Sequence, residues 1–407
     1  MVYFAHLADV HIGAWRDQRL SDLADEAFEM AIDRCISEEV DFVVIAGDLF
    51  HSALPGIDRL RHVVRCLERL KQAGIRVYCI PGSHDYSPSG KTMLSVLSEA
   101  DLLVNVYRES ESEGVISLEP VVDEKTGVSL VGLLGRAGQL DTQKYQKLDV
   151  ASLQQLSSPK IFVFHAALSD LVSSRISGAN AASVSLLPSG FNYYAGGHVH
   201  IIKDVSVKGY NQVVYPGPTF PASFSELELL GGGSFCLVKD WQLQRVSLNP
   251  RSVEVVVLDC DGKSPSQVSD ELREQVESLG VSGAVVLVRA RGVLVSGSSS
   301  DIAFSEVFSS ALARGAYACL KNTFGVSSPE LEVSSSASSS MNASEIEESV
   351  LSEYADSKHL SGVSDQKRFM KDLLQVLSQV QAEGETKASY ERRIVSDAHK
   401  LLSDDKE

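Results

Sequence analysis

Short apolar segments alternate with longer segments of helical periodicity over the first 245 residues of the chain. Segments rich in Val, Ile and Phe predict strands at 2–7, 41–46, 76–80, 129–134, 160–164 and 191–196. Apolar residues spaced three and four positions apart predict helices near 20–38, 57–73 and 91–100. This alternation predicts an α/β fold for residues 1–245, with strands layered against helices.

The rest of the chain changes character twice. Residues 250–325 show the pattern strand, helix, strand, helix and a last short strand, which predicts a small α+β cap domain. Residues 326–342 are dense in Ser and lack apolar periodicity, as flexible linkers do. Residues 343–407 are charged, with apolar residues at helical spacing around 364–381 and 390–402. They predict a tail of two or three amphipathic helices without a core of their own.

Composition narrows the class of protein. With 44% hydrophobic and 22% charged residues, the chain resembles soluble globular proteins, and no apolar run approaches the roughly 18 residues of a membrane span. The first residues, MVYFAHLADVHIG, lack a basic segment and predict a buried strand rather than a signal peptide. The six cysteines form no CxxC pair, so we expect neither a zinc knuckle nor a disulfide framework. We therefore expect the protein in a reducing, cytoplasmic compartment.

The charge balance limits how a nucleic acid could bind. The chain has 37 basic and 54 acidic residues, a net charge of −17, which argues against a general basic coat that wraps nucleic acid. Any DNA or RNA substrate must therefore be held locally, by metal ions or by a partner.

Six of the ten histidines fall at or just after predicted strand ends, where open α/β sheets place their ligands. They are His11, His51, His84, His165, His198 and His200. The other four are His6, predicted as a core residue, and His62, His359 and His399, predicted on helix surfaces.

Carboxylates accompany these histidines in a pattern typical of metal sites. Asp9 and His11 lie two residues apart in an extended segment, so their side chains point the same way. Gly47 allows a sharp turn, after which Asp48 can offer its two oxygens to two cations. Oxygen and imidazole ligands without thiolate suit Mn²⁺, Fe or Zn²⁺, and their number exceeds the needs of one ion. The sequence therefore predicts two metals.

The whole series resembles one known family. The motifs D-x-H, G-D, G-S-H-D, a lone His and G-H-V-H, in this order over residues 1–220, resemble the calcineurin-like metallophosphoesterase superfamily. Within it, FAHLADVHIG, VDFVVIAGDLFHS and VVYPGP are similar to DNA double-strand break repair nucleases of the SbcD type and their archaeal and eukaryotic counterparts. The resemblance implies a four-layer β-sandwich flanked by helices, with a small DNA-binding cap and a helical tail.

The resemblance also implies a role for each site residue. Around one Mn²⁺ it places Asp9, His11, Asp48 and His200, and around the other it places Asp48, Ser83, His165 and His198. It implies that His84 contacts the scissile phosphate and helps to stabilise or protonate the departing oxygen, and that His51 orients the phosphate. One position departs from the family, which usually has Asn where this chain has Ser83. The shorter hydroxyl predicts a weaker second metal site.

The predicted function is that of a Mn²⁺-dependent DNA exonuclease and endonuclease in double-strand break processing, in the cytoplasm and near the nucleoid of a prokaryote. A small-nucleotide phosphodiesterase or protein phosphatase of the same superfamily is the alternative, disfavoured by His51 and the cap. A metal-poor scaffold is a further alternative, because Ser83 replaces a ligand.

Two protein partners are predicted. The resemblance implies an SMC-like ABC ATPase of the SbcC type that binds the tail through Phe369, Leu373, Leu374, Val376, Leu377 and Val380. It also implies a homodimer through the helices that follow the G-D and G-S-H-D motifs. Apolar residues there are Leu60, Val63, Val64, Leu67 and Leu70 on the first helix, and Leu94, Val96 and Leu97 on the second.

Overall fold

The computed structural model describes residues 1–86, 92–135, 144–171, 182–328, 366–379 and 387–404. The chain forms two compact units. The first comprises residues 1–257, 272–289 and 304–322, and the second comprises 258–271, 290–303 and 323–407. The domain boundaries predicted from the sequence, 1–245, 250–325, 326–342 and 343–407, stay predictions.

A six-stranded sheet in the first unit contains the beginning of the chain. Its strands are β1 (Tyr3–Leu7), β2 (Phe42–Ala46), β3 (Arg76–Ile80), β4 (Val104–Asn105), β13 (Gly233–Lys239) and β14 (Gln242–Leu248). They lie in the order β14-β13-β1-β2-β3-β4. Strands β1 to β4 are parallel, with Ala5 opposite Val43 and Val43 opposite Val77, and β13 runs antiparallel to β1. The parallel strands are apolar on both faces because both faces are covered.

A second six-stranded sheet faces the first. Its strands are β7 (Val121–Val122), β8 (Ser129–Leu133), β9 (Lys160–His165), β10 (Tyr193–Gly197), β11 (Ile202–Val207) and β12 (Tyr210–Pro216), in the order β11-β12-β10-β9-β8-β7. Its four inner strands are parallel, and Gly197 lies opposite His165. A separate hairpin pairs β5 (Glu109–Ser112) with β6 (Val115–Leu118).

Helices cover the outer faces of this sandwich. The helices of this region are α1 (Gln18–Ser37), α2 (Ile57–Gln72), α3 (Met93–Glu99), α4 (Val150–Gln155) and α5 (Phe224–Leu230), with a 3-10 turn at Val184–Leu186. Helix α1 begins after Asp17, whose carboxylate accepts the backbone N–H groups of Arg19 and Leu20. Phe28 of α1 and Leu67 of α2 are fully buried in the core against the first sheet. Helices thus form the outer layer of the sandwich on this side.

An aromatic core lies between the two sheets. Phe4 stacks on Phe42 with ring centroids 5.2 Å apart and meets Tyr193 of the second sheet edge-on at 5.2 Å. On the outer face of the second sheet, Leu153 of α4 belongs to the buried cluster of Phe162. The predicted α/β fold with two packed sheets flanked by helices is therefore confirmed.

The remaining elements follow in the chain. A three-stranded sheet has the order β15 (Val253–Asp259), β16 (Val285–Val293) and β17 (Ala318–Ser327), and the intervening helices are α6 (Pro265–Ser278) and α7 (Phe304–Ala313), with a 3-10 turn at Ser299–Asp301. The prediction of a last short strand was wrong, because β17 has ten residues and reaches into the predicted linker. Linker residues from 329 onward lie outside the described part of the chain.

Two helices of the predicted tail are described, α8 (Gln366–Leu377) and α9 (Lys387–Asp404), and they contact each other. Leu374 and Leu377 of α8 are 39% and 53% exposed, whereas Phe369 is buried. Val380 of the predicted apolar face and His359 lie outside the described residues. No helix within the described ranges has the length and apolar character needed to cross a bilayer.

Candidate active site

The carboxyl ends of five parallel strands from both sheets bring the predicted site residues together. Asp9 follows β1, Asp48 follows β2, and His84 follows β3. In the second sheet, His165 ends β9 and His198 follows β10. The sequence placed these residues at strand ends, and the pairing of the two sheets makes those ends meet at one edge of the sandwich.

Left-handed backbone conformation is concentrated at this edge. Five site residues have positive φ angles: Asp9 (51°), His11 (48°), Asp48 (52°), His198 (96°) and His200 (48°). They are five of the eleven non-glycine residues with positive φ in the described part of the chain. Such conformations are costly for residues with a Cβ and persist where the surrounding structure enforces them, commonly at functional sites. The side chains are therefore aimed by a preformed, strained backbone.

Two glycines allow the loops to approach closely. At Gly47, with φ 86°, a Cβ atom would lie 2.3 Å from Nδ1 of His165. At Gly82 it would lie 2.2 Å from Oδ1 of Asp48. Any side chain at either position would push the imidazole or the carboxylate out of the site.

Asp48 lies at the centre of the cluster. Its Oδ2 atom is 3.1 Å from Nε2 of His165 and 3.5 Å from Nε2 of His11. The other oxygen, Oδ1, accepts the backbone N–H of His84 at 2.8 Å. Burial favours the neutral acid, but the charges of His165 and His11 and this hydrogen bond outweigh it and hold the pKa of Asp48 well below its usual value. Asp48 is therefore an ionised, oriented carboxylate facing imidazoles on two sides.

Asp9 and His200 form the neighbouring part of the cluster. Nε2 of His200 lies 2.9 Å from Nε2 of His11 and 3.9 Å from Oδ1 of Asp9. Asp9 Oδ1 accepts the backbone N–H of His198 at 2.8 Å, and burial raises the pKa of this carboxyl group. Ligand atoms of Asp9, His11 and His200 lie within 4.8 Å of one another, as do those of Asp9, Asp48 and His165. Each group could hold a metal ion.

The surroundings of His165 show whether the site suits a cation. Its Nδ1–H donates to the carbonyl of Ala46 at 2.8 Å. Its Nε2 is buried and lies 3.1 Å from Oδ2 of Asp48. Burial lowers the pKa of His165, but the charges of Asp48 and Asp9 outweigh it and raise the pKa to about 10. Without a metal, the ring therefore carries a second proton on the nitrogen that faces Asp48. A divalent cation can take the place of that proton between the imidazole and the carboxylates, so the residues fit a metal.

His198 and Ser83 complete the predicted ligand set. The ring of His198 lies 5.1 Å from that of His165, centroid to centroid, and burial lowers the pKa of His198 to about 4. It therefore stays neutral and able to ligate a cation at physiological pH. Ser83 is half-buried, and its Oγ lies 3.5 Å from Oδ2 of Asp48. The hydroxyl thus reaches the carboxylate predicted to bridge the two ions.

His51 and His84 lie on the open side of the cluster. Their rings stack with centroids 4.7 Å apart, and the ring of His11 lies 4.8 Å from that of His84. His84 is exposed, and its Nδ1–H donates to the carbonyl of His51 at 2.9 Å. Burial and the neighbouring His84 lower the pKa of His51. Both rings are therefore placed to meet a substrate that approaches the cluster from solvent.

Two residues near the site, Asp85 and Glu226, have structural roles that were not predicted from the sequence. Asp85 is buried and accepts the backbone N–H groups of Leu49, Phe50 and Gly82 at 3.0–3.1 Å, which ties the loops after β2 and β3 together. Burial and the charge of Asp48 raise the pKa of Asp85 to about 6. Glu226 of α5 lies against His200, with 2.9 Å between Oε2 and Nδ1. Asp85 belongs to the G-S-H-D motif, whereas no local sequence pattern connects Glu226 with the site.

A buried cluster of carboxylates and imidazoles lies at the strand ends of an α/β sandwich, and its members could hold divalent cations. Residues 2–201 match the family model of the calcineurin-like phosphoesterases, so the chain contains a calcineurin-like phosphoesterase domain. The family implies a divalent metal site. The match confirms the resemblance predicted from the motifs.

Curated relatives narrow the comparison to DNA repair proteins. DNA double-strand break repair protein Mre11 of Archaeoglobus fulgidus is 30% identical over 225 residues, which cover 53% of this chain and 49% of that protein. The protein of the same name from Methanococcus maripaludis is 30% identical, over 55% of this chain and 59% of that protein. That of Sulfurisphaera tokodaii is 26% identical, over 67% of each. The chain spans about half the length of the Archaeoglobus relative.

Proposed function

We propose that this protein is a Mn²⁺-dependent nuclease that hydrolyses phosphodiester bonds of DNA, as exonuclease and endonuclease, during double-strand break processing. One observation carries the proposal. The carboxylates of Asp9 and Asp48 and the imidazoles of His11, His165 and His200 converge within a calcineurin-like phosphoesterase domain. The similarity to proteins named for DNA double-strand break repair supports DNA as the substrate.

The ligand set divides between two ions that share Asp48. In this proposal one ion is held by Asp9, His11, Asp48 and His200, and the other by Asp48, Ser83, His165 and His198. Mixed oxygen and imidazole ligands without thiolate favour Mn²⁺ over Mg²⁺, which prefers oxygen ligands and keeps its waters. When bound, two such ions clamp phosphoryl oxygens and lower the pKa of a bound water.

His84 and His51 act on the substrate in this proposal. Because Nδ1–H of His84 donates to the carbonyl of His51, the exposed Nε2 of His84 is free to face the phosphate or the leaving oxygen. The backbone N–H of His84 also holds Asp48, so the two roles sit on one residue. His51, with its lowered pKa, is a neutral hydrogen-bonding partner that orients the phosphate.

Two partners belong to the proposal. An SMC-like ABC ATPase of the SbcC type would dock on α8 and α9, where Leu377 and Val395 are more than half exposed. Such a partner would supply the basic surface that a chain of net charge −17 lacks. With this role the protein would work in the cytoplasm, associated with the nucleoid of a prokaryote.

The proposed homodimer uses α2 and α3. Most of the predicted apolar stripe serves the chain's own core, since Val63, Leu67 and Leu97 are buried. Exposed apolar side chains remain at its margin: Ile57 at the start of α2 is 83% exposed and Val96 of α3 is 53% exposed. These two exposed apolar side chains support the association of two copies in this proposal.

A nuclease assay tests the activity. Blunt linear DNA is incubated with the full chain in Mn²⁺, in Mg²⁺ and in EDTA, beside a small phosphodiester and a phosphoserine peptide. We expect DNA cleavage that Mn²⁺ supports best and EDTA abolishes. Hydrolysis of the small diester or the peptide without DNA cleavage would favour the alternative phosphoesterases, and no hydrolysis of any substrate would favour a scaffold.

A further inference from the structure

Glu226 carries no predicted role, yet its carboxylate reaches the cluster from helix α5. We infer that Glu226 is a positioning residue that fixes the tautomer and ring orientation of His200, so that Nε2 presents its lone pair to a divalent cation. The inference rests on the proposed function only in requiring that a divalent cation binds, and it is independent of the substrate.

The hydrogen bond determines which nitrogen of His200 carries the proton. Oε2 of Glu226 lies 2.9 Å from Nδ1 of His200. An ionised carboxylate can only accept, so the proton resides on Nδ1. Nε2 then faces Nε2 of His11 and Oδ1 of Asp9.

The carboxylate is itself held in place. Oε2 of Glu226 also accepts the backbone N–H of Ala222 at 2.9 Å, and the Ser223 hydroxyl accepts the backbone N–H of Glu226 at 3.3 Å. The segment before the helix is tied down by the indole N–H of Trp15, which donates to the carbonyl of Pro221 at 2.8 Å. Because the carboxylate of Glu226 is held by the backbone, it can hold the imidazole of His200 in one orientation.

The local sequence suggests that Glu226 only caps helix α5, but its hydrogen bonds differ from those of a helix cap. Ser223 and Glu226 have the S-x-x-E spacing of a capping box, in which the glutamate reaches back to the backbone N–H of the N-cap serine. Here the carboxylate accepts instead from Ala222, one residue earlier, and from His200. A helix cap would leave metal affinity unchanged, whereas a positioning residue would not.

The same helix supplies a matched control. Glu228, two residues on, accepts Nε–H of Arg289 at 2.7 and 2.8 Å and makes no contact with the cluster among the hydrogen bonds of the described residues. Glu228→Gln removes one negative charge from α5, as Glu226→Gln does. Any effect of net charge or of helix stability is therefore shared, and an effect on the metal site is not.

Mn²⁺ titration calorimetry of the full chain, with no substrate, tests the inference. Glu226→Ala should weaken one Mn²⁺ site by about 10- to 100-fold, the usual effect of removing such a partner. Glu226→Gln, whose amide oxygen still accepts from Nδ1–H, should recover most of the affinity, and Glu228→Gln should equal the wild type. Because Glu226→Ala could fail to fold, nitrogen-15 NMR of the metal-free wild type provides a second measurement, with the proton of His200 expected on Nδ1.

Each outcome decides between the two proposals. Unchanged Mn²⁺ affinity in Glu226→Ala, or a neutral His200 ring in the wild type whose single proton lies on Nε2, would overturn the inference alone. A wild type that binds Mn²⁺ but cleaves no DNA would overturn the proposed function and leave the inference standing. A wild type that binds no divalent cation would overturn both.

Discussion

The buried imidazole of His165 lies between two acceptors of different kinds, the carbonyl of Ala46 at 2.8 Å from Nδ1 and the carboxylate of Asp48 at 3.1 Å from Nε2. The first contact uses the proton on Nδ1, and the second aims Nε2 at a carboxylate with which it can share a proton or a cation. On the exposed side of the cluster, the backbone N–H of His84 donates to Asp48. The proposed function therefore assigns metal binding to His165 and substrate contact to His84.

The first prediction contrasts these two histidines. His165→Ala should lose one of two bound Mn²⁺ ions and all DNA cleavage, because it removes an imidazole ligand. His84→Ser should retain both ions and lose cleavage, because its backbone N–H still holds Asp48. Elemental analysis after dialysis, beside the nuclease assay, measures both effects, with the surface substitution His399→Ala as control. Metal loss in His84→Ser would contradict the role assigned to that side chain.

The second prediction concerns Ser83, which places a short hydroxyl 3.5 Å from Oδ2 of Asp48. We expect one Mn²⁺ site to be weaker than the other, so full activity should require more Mn²⁺ than occupancy of the first site. Ser83→Asn should tighten the weaker site, because the longer amide oxygen reaches further toward the ion. Calorimetry that finds two equally tight sites in the wild type would show that serine is a full replacement.

The third prediction is a pH dependence of stability that arises in the core. Burial lowers the pKa of His6 to about 3 from the usual 6.5, while its Nδ1 bonds to the hydroxyl of Tyr193 at 3.0 Å. Below pH 6.5 the unfolded chain binds a proton at this position that the folded chain refuses. The stability that neutral His6 provides is therefore present above pH 6.5 and lost as the pH falls toward 3, by about 1.4 kcal/mol per pH unit.

The double variant His6→Leu, Tyr193→Phe removes both polar partners and leaves no buried hydroxyl unpaired. Urea unfolding at pH 7 and pH 5 should show a loss of stability on acidification that is smaller in this variant by about 2 kcal/mol. Parallel pH dependences in the two proteins would exclude His6 as the titrating group.

The fourth prediction concerns the tail. Leu374→Asp with Leu377→Asp should abolish co-purification with a co-expressed SMC-like ATPase, because it places charges on the exposed apolar face of α8. Truncation at Ser340 should do the same, and both proteins should keep Mn²⁺ nuclease activity on short DNA. Gln375→Asp, which adds a charge at an exposed polar position of the same helix, is the control. Retained co-purification of the truncated chain would move the docking surface elsewhere.

The fifth prediction concerns self-association. Val96→Asp should convert a dimer to a folded monomer, because Val96 is exposed and outside the core of the single chain. Leu60→Asp should also lower the stability, because Leu60 packs partly against the core. Light scattering at micromolar concentration measures the mass, and a wild type that is already monomeric refutes the dimer.

The sequence predicted the strands and most of the cluster because both follow local rules. Apolar segments predict strands, and polar residues at the ends of parallel strands meet in space, as Asp48 and His165 do. Local rules do not predict contacts between residues that are far apart in the sequence. Glu226 meets His200 across 26 residues, and its S-x-x-E spacing has a sufficient explanation as a helix cap. The apolar stripe on α2 is likewise ambiguous, since a periodic pattern does not distinguish a core face from an interface, and Val63 and Leu67 face the core.

At Asp9 the requirements of a stable fold oppose the metal-binding role that the proposed function assigns to its side chain. Asp9 combines a positive φ angle with a buried carboxyl group whose pKa is raised by burial, and Asn tolerates that backbone without bringing a charge into the interior. In the absence of metal, the Asp9→Asn protein should therefore have a higher melting temperature than the wild type. It should also bind a metal ion more weakly. Thermal selection applied to a mutant library of this chain, without a requirement for cleavage, would therefore enrich inactive variants at Asp9.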